Sequence, residues 1–210
     1  TNVYLPDSIT SLGRGAFLDC NRLEAISLPS ALDRIAPELF SGCNQLESVT
    51  MGESITSVGE RAFYECTDLF NLSMSSSVKS VEDEAFYNCS NLHSLSFPSG
   101  LTSIGESAFE GAGLTELSLP DTVTTLGTSA FSGCPMTQAS LSAGLTKVPG
   151  WAFYNCRNLT ELTVPAGITS IGEQAFSDCK TLAAISLPES VNTIGESAFS
   201  GCAALTGLTI

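Results

Sequence analysis

Basic residues are scarce in this sequence. Lys and Arg total 8 against 22 Asp and Glu, a formal net charge of −14. Phosphate neutralisation needs Lys and Arg, so nucleic acid and anionic membrane are poor partners. Charge of either sign is thin, at 14% of residues, where soluble domains usually carry about a quarter. The surface must be built from Ser, Thr, Asn and Gly, and the excess acid reads as solubility. No apolar run approaches the ~18 residues of a membrane span, and no signal-peptide pattern is visible. Histidine occurs once, His93, and tryptophan once, Trp151. A Ser-His-Asp triad needs its histidine beside an acid and an activated serine. Nothing around His93 suggests that, and it reads as a surface residue. There is no G-x-x-x-x-G-K-[ST] phosphate loop and no C-x-x-C pair for zinc. The acids offer chance carboxylate pairs, but they recur as ladders, and "EDE" at 82–84 reads as solvated. Neither a cofactor, a metal site nor a catalytic residue is implied.

What the chain has is repetition. The phenylalanines Phe17, Phe40, Phe63, Phe86, Phe109, Phe131, Phe153, Phe176 and Phe199 are spaced by 23 or 22 residues. All but Phe40 follow an Ala. The consensus is I-T-S-I-G-E-x-A-F-x-x-C-x-x-L-x-x-L-x-L-P. Such a unit cannot bury its apolar face alone, whereas stacked copies can.

Each unit reads as two pieces. "LTELTVP" at 159–165 alternates apolar and polar residues, as a half-buried strand does. Proline follows the strand in six copies (Pro6, Pro29, Pro98, Pro120, Pro165, Pro188) and ends the ladder there for want of an N–H. "GESAFSGC" reads as a short helical turn. In it Ala198, Phe199 and Cys202 face inward together. Glu60, Asp83, Glu106, Glu173 and Glu196 follow the Gly column and complement the start of that turn; Pro37 suits a first helical position. Pro149 stands in the Gly column itself, so the column does not require positive φ. Adjacent strands would pair in parallel at ~4.8 Å, while helical turns are ~10 Å across. The mismatch would curve the stack, with the strands on the concave side.

The eight cysteines, Cys20, Cys43, Cys66, Cys89, Cys134, Cys156, Cys179 and Cys202, each lie three residues after a repeat Phe. Their Cβ vectors run parallel, which suits a bridge poorly. Buried free thiols behave as small hydrophobes. The fifth of the nine copies of that column holds Ala112 instead. There, and again after Cys134, one residue is missing before the next Leu. Tyr64, Tyr87 and Tyr154 follow repeat phenylalanines and read as rings covering the gaps between turns.

The residues "LTSIGESAFEGAGLTELSLP" and "ITSIGEQAFSDCKTLAAISLP" resemble the BspA-like, or Treponema pallidum-type, leucine-rich repeats, and the resemblance runs from about Val3 to Ile210. It implies an α/β fold: a right-handed leucine-rich-repeat solenoid with a curved parallel sheet on the concave side and short helical turns on the convex side. It also implies a secreted or cell-surface bacterial protein, with a role in adhesion or in binding host proteins. It supplies no catalytic residues. The Asn that follows the strand in other leucine-rich repeats is not evident.

The expectation is one domain of about nine repeats over 1–210, a fragment of a longer protein, since neither end resembles a polar cap. The leading function is non-catalytic protein binding or adhesion. The alternatives are a structural spacer displaying another domain and an accessory glycan-binding module. The expected partner is a host or bacterial surface protein, or a glycan, with no nucleic acid and no membrane insertion by this chain. Two outward columns on the strands form the candidate surface. One supplies Ser27, Thr50, Ser73, Ser96, Ser118, Ser140, Thr163 and Ser186. Its neighbour supplies Asn71, Ser94, Glu116, Gln138 and Glu161. A hydroxyl ladder can hydrogen-bond a glycan or an extended peptide. The bland reading is that a concave face admits only small side chains, with Thr favoured in strands.

Overall fold

The computed structural model of the chain describes residues 2–209. Each repeat is one coil with a turn segment, and most coils carry two short strands. The longer strands have three residues: β1 (Asn2–Tyr4), β2 (Ala25–Ser27), β4 (Ser48–Thr50), β6 (Asn71–Ser73), β9 (Glu116–Ser118), β11 (Gln138–Ser140), β13 (Glu161–Thr163), β15 (Ala184–Ser186) and β17 (Gly207–Thr209). The shorter ones have two: β3 (Arg34–Ile35), β5 (Ser57–Val58), β7 (Ser80–Val81), β8 (Ser103–Ile104), β10 (Thr125–Leu126), β12 (Lys147–Val148), β14 (Ser170–Ile171) and β16 (Thr193–Ile194). Like strands of consecutive coils pair in parallel at equivalent repeat positions, for example Ile26 with Val49 and Ala139 with Leu162. The result is a parallel β-solenoid with a long-strand face, a short-strand face and a turn side.

Period-two alternation sets the long-strand face. The middle residues Ile26, Val49, Leu72, Leu117, Ala139 and Ile185 are buried, and their neighbours point outward. Between the faces runs a stack of phenylalanine rings. Seven of them, Phe40 to Phe176, are wholly buried. Consecutive centroids lie 5.0–5.8 Å apart, with interplanar angles of 7–20°. Burying each ring contributes roughly 1.5–3 kcal/mol. The Ala before the ring is also fully buried from Ala62 to Ala175.

The turn segments are not helical: the described residues contain no helix. Two residues of every turn adopt positive φ, for example Ser107 (49°) and Gly111 (68°), or Gln174 (48°) and Asp178 (59°). A left-handed residue every fourth position cannot continue a right-handed helix. The signal lies two residues after each Phe, where the column reads Asp19, Gly42, Glu65, Asn88, Gly111, Gly133, Asn155, Asp178, Gly201. Eight of these nine are Gly, Asn or Asp, the residues that tolerate this conformation. Alternate donors of a turn, such as Ala16, Leu18 and Cys20, bond three residues back within the coil, to Gly13, Gly15 and Phe17. The intervening ones bond onward to the next coil: Gly15 to Pro37, Phe17 to Leu39 and Asp19 to Ser41, at 2.8–3.0 Å. The turn side therefore stacks at strand-like spacing, and bulky helices are absent as a source of curvature. The acids after the Gly column do not start helices either. Asp83 of that column and its neighbour Glu82 instead cap bare N–H groups of adjacent coils: Asp83 Oδ1 accepts from Glu106 N at 2.8 Å, and Glu82 Oε2 from Glu60 N at 3.1 Å.

Two further columns have a coil-to-coil cause. Each cysteine after the first donates Sγ–H to the carbonyl of the Phe one coil earlier, as Cys89 does to Phe63 at 3.1 Å. All eight are unbridged, and burial raises the Cys89, Cys134, Cys156 and Cys179 thiols well above their ordinary value. The Gly column is one of close approach. A Cβ on Gly59 would stand 2.7 Å from the Ile35 carbonyl oxygen. Its N–H donates to that same oxygen at 2.9 Å, and the equivalent bond recurs at Gly105, Gly127, Gly172 and Gly195. Pro149 has no N–H to repeat it, and the short-strand face divides there, into β3–β10 and β12–β16.

Candidate binding surface

The thirteen candidate residues all project from the long-strand face. Twelve are exposed and Ser140 is half-buried. The structure gathers eight of them, Ser94, Ser96, Glu116, Ser118, Gln138, Ser140, Glu161 and Thr163, around one shallow depression of about 620 Å³. Ser27 and Thr50 lie further toward the N-terminal coils, as do Asn71 and Ser73, and Ser186 lies beyond toward the C-terminal ones.

Hydroxyls at the coil corners behave differently from those on the face. Thr56, Thr102, Thr137, Thr160 and Thr169 each cap a carbonyl one coil back, at 2.9–3.4 Å. Thr115 does the same to His93 at 3.1 Å. Among the described residues, none of the thirteen face side chains hydrogen-bonds within the protein. The corner threonines are thus structural, while the face hydroxyls are free for solvent or ligand.

The depression sits where the long-strand sheet is interrupted. Ser94–Ser96, the expected strand of its coil, forms no ladder with β6 or β9. His93 N turns back to Asn91 O instead. On its C-terminal side the next coil is one residue short between Ala112 and Leu114. Gly113 there passes so near the Ser90 carbonyl that a Cβ could not fit, and its own carbonyl lies 3.2 Å from His93 Nδ1. Phe97, bulkier than the Leu, Met, Val or Ile of other copies, packs edge-on to Phe109 at 5.5 Å and lines the floor. Phe70, at the position equivalent to His93 one coil earlier, is 56% exposed. Neither Phe70 nor Phe97 is among the thirteen candidates, because neither stands in the two outward columns.

Charge is distributed unevenly. No Lys or Arg stands in the outward columns of the long-strand face, and Glu116 and Glu161 face outward there. The basic residues on the turn side are engaged: Arg14 with Glu38 at 2.6 Å and Arg61 with Glu84 at 2.9 Å. The hydrogen bond from Arg14 holds the Glu38 carboxyl below its ordinary value. Arg61 also lies 5.7 Å over the ring of Tyr64, which stacks on Tyr87 at 4.9 Å. These rings are half-buried and seal adjacent turns. Trp151 occupies a left-handed turn position, φ 53°. No helix is long and apolar enough to cross a membrane among the described residues.

A parallel solenoid of strand, turn and strand, with an uncommitted sheet face, defines a repeat protein of the leucine-rich class. The family model for the BspA-type leucine-rich repeat region matches residues 1–113 and 102–210, and the chain belongs to that family. It is similar to a leucine-rich cell surface protein from Faecalibacterium prausnitzii A2-165, at 28% identity and TM-score 0.61, over 97% of this chain and 64% of that one. It is also similar to the T. pallidum leucine-rich repeat protein, at 26% identity and TM-score 0.63, over 86% and 77%. A leucine-rich repeat protein from Bacteroides ovatus ATCC 8483 gives 27% and 0.53, over 100% and 72%. The chain thus spans about two thirds of the Faecalibacterium protein, 64%. No curated protein matches the sequence.

Proposed function

We propose that residues 1–210 are one non-catalytic binding domain of a longer secreted or cell-surface bacterial protein. In this reading it engages a host or bacterial surface protein through the long-strand face. One observation carries the reading: the face hydroxyls and amides bond to nothing within the protein, while corner threonines such as Thr56, Thr102 and Thr160 cap carbonyls of the preceding coil. The cell-surface description of the Faecalibacterium relative supports the location. The test is a binding screen against matrix proteins and glycans, with Ser96→Tyr/Ser118→Tyr as the face variant. Binding by the wild type that the variant loses is the expected outcome. Unchanged binding by the variant rejects the face, and a glycan as sole ligand replaces the protein partner.

A further inference from the structure

The depression around Ser96 narrows the partner's chemistry, and this inference rests on the binding role just proposed. Three observations meet there. Glu116 and Glu161 flank Gln138 on strands paired in register. They are therefore two strand spacings apart, about 9.5 Å along the solenoid axis. No basic side chain of the face neutralises them. Between β6 and β9, the N–H groups of Ser94 to Phe97 find no backbone partner, so they face solvent or a ligand. The hydroxyls of Ser96, Ser118 and Ser140 and the Gln138 amide add free donors along the same line.

A polyproline-II segment lying across the strands matches this spacing. It rises about 3.1 Å per residue with three residues per turn, so side chains three apart project on one side about 9.3 Å from each other. Its carbonyls make no internal hydrogen bonds and accept from hydroxyl and amide donors. We propose that the depression docks a basic, extended segment of the partner protein, with Lys or Arg three residues apart paired to Glu116 and Glu161. Phe97, which lines the depression, offers apolar contact to the segment's stem.

The probe is a fluorescent peptide, Pro-Pro-Lys-Pro-Pro-Lys-Pro-Pro, measured by anisotropy at physiological salt. Two peptides serve as comparisons: one with Glu for both Lys, and one with the two Lys adjacent. The wild type binds the first peptide and prefers it to both others. Glu116→Gln/Glu161→Gln weakens binding about tenfold or more, the scale of losing a paired charge. Glu106→Gln/Glu196→Gln removes the same charge from exposed positions beyond the Gly column and leaves binding unchanged. Equal loss in both variants, equal affinity for the adjacent-Lys peptide, or no binding by the wild type overturns the inference. A screened protein that Ser96→Tyr/Ser118→Tyr blocks and Glu116→Gln/Glu161→Gln does not would overturn it too, while leaving the proposed function standing.

Discussion

The turn side is tied at every junction between consecutive Phe coils by three backbone hydrogen bonds, from Gly15, Phe17 and Asp19 in the first coil to Gln174, Phe176 and Asp178 in the eighth. The long-strand face stacks the same coils and is interrupted on both sides of Ser94–Ser96 and again between β13 and β15. The two regions differ in where the repeat varies. Both missing residues fall between the Cys column and the strand, outside the turn ladder. The turn side keeps its phase; on the long-strand face one shortened coil adjoins the interruption at Ser94–Ser96, while the other leaves β11 paired with β9 and β13. The breaks between β6 and Ser94 and between β13 and β15 have no counterpart in repeat length, and nothing in the structure explains them. The comparison teaches that the most regular element of this solenoid is an irregular-looking turn, and that the nominal sheet is the adaptable part.

The largest expected contrast is in amide hydrogen exchange. The Phe109 and Phe131 N–H groups should exchange only through global unfolding, at a protection of roughly 5–15 kcal/mol, and the Ser94 to Phe97 amides near zero. Equal protection in the two regions would remove the distinction. Alkaline pH should next attack the turn side alone, because the thiols lie there. Their folded values are raised above 9.0 by burial. The folded state then holds protons that the unfolded chain releases. Stability is thus intact below about pH 9 and falls as pH rises through that value, by about 1.4 kcal/mol per pH unit for each such thiol. Cys89→Ala should flatten that slope by one thiol in denaturant titrations; a slope that ignores the substitution would show the thiols do not control it.

Phe109→Ala should destabilise by about 3–5 kcal/mol, with Ser118→Ala on the opposite face within about 0.5 kcal/mol. Chemical denaturation reads both, and similar losses would contradict the division. Gly127→Ala drives a Cβ into the Gly105–Glu106 backbone and should cost about 1–3 kcal/mol. The smallest effect is a gain. Ala112→Cys supplies the missing Sγ–H donor to the Phe86 carbonyl and should raise stability by about 0.5–1 kcal/mol. A loss would mean that the short coil leaves the thiol no room.

Much of this was legible in the residues. The Phe column, the inward strand residues and the buried cysteines follow from period and apolarity, and period two identified the outward columns. The helical turn was the wrong inference. Spacings of three and four suit a helix and a chain of three-residue turns alike, and the Gly, Asn and Asp column after Phe was the deciding signal. The Gly column misled differently: its cause is the approach of the preceding coil, which no single repeat displays. The depression was legible only as a missing residue at Ala112–Leu114. The interruption at Ser94–Ser96 beside it is a matter of the phase of one coil against the next, and residue types do not encode that locally.

The onward bonds of the turn side share one direction. Each runs from an N–H of the earlier coil to a carbonyl of the later one, so three files of peptide dipoles point along the solenoid in parallel. Aligned peptide units sum to a macrodipole, positive where bare N–H groups gather. Here that pole is at the C-terminal coil, where the N–H groups of Ser197, Phe199 and Gly201 donate to no carbonyl among the described residues. The polarity is opposite to that of an α-helix. Whatever meets that coil on its turn side must therefore arrive carbonyl first, or bring negative charge.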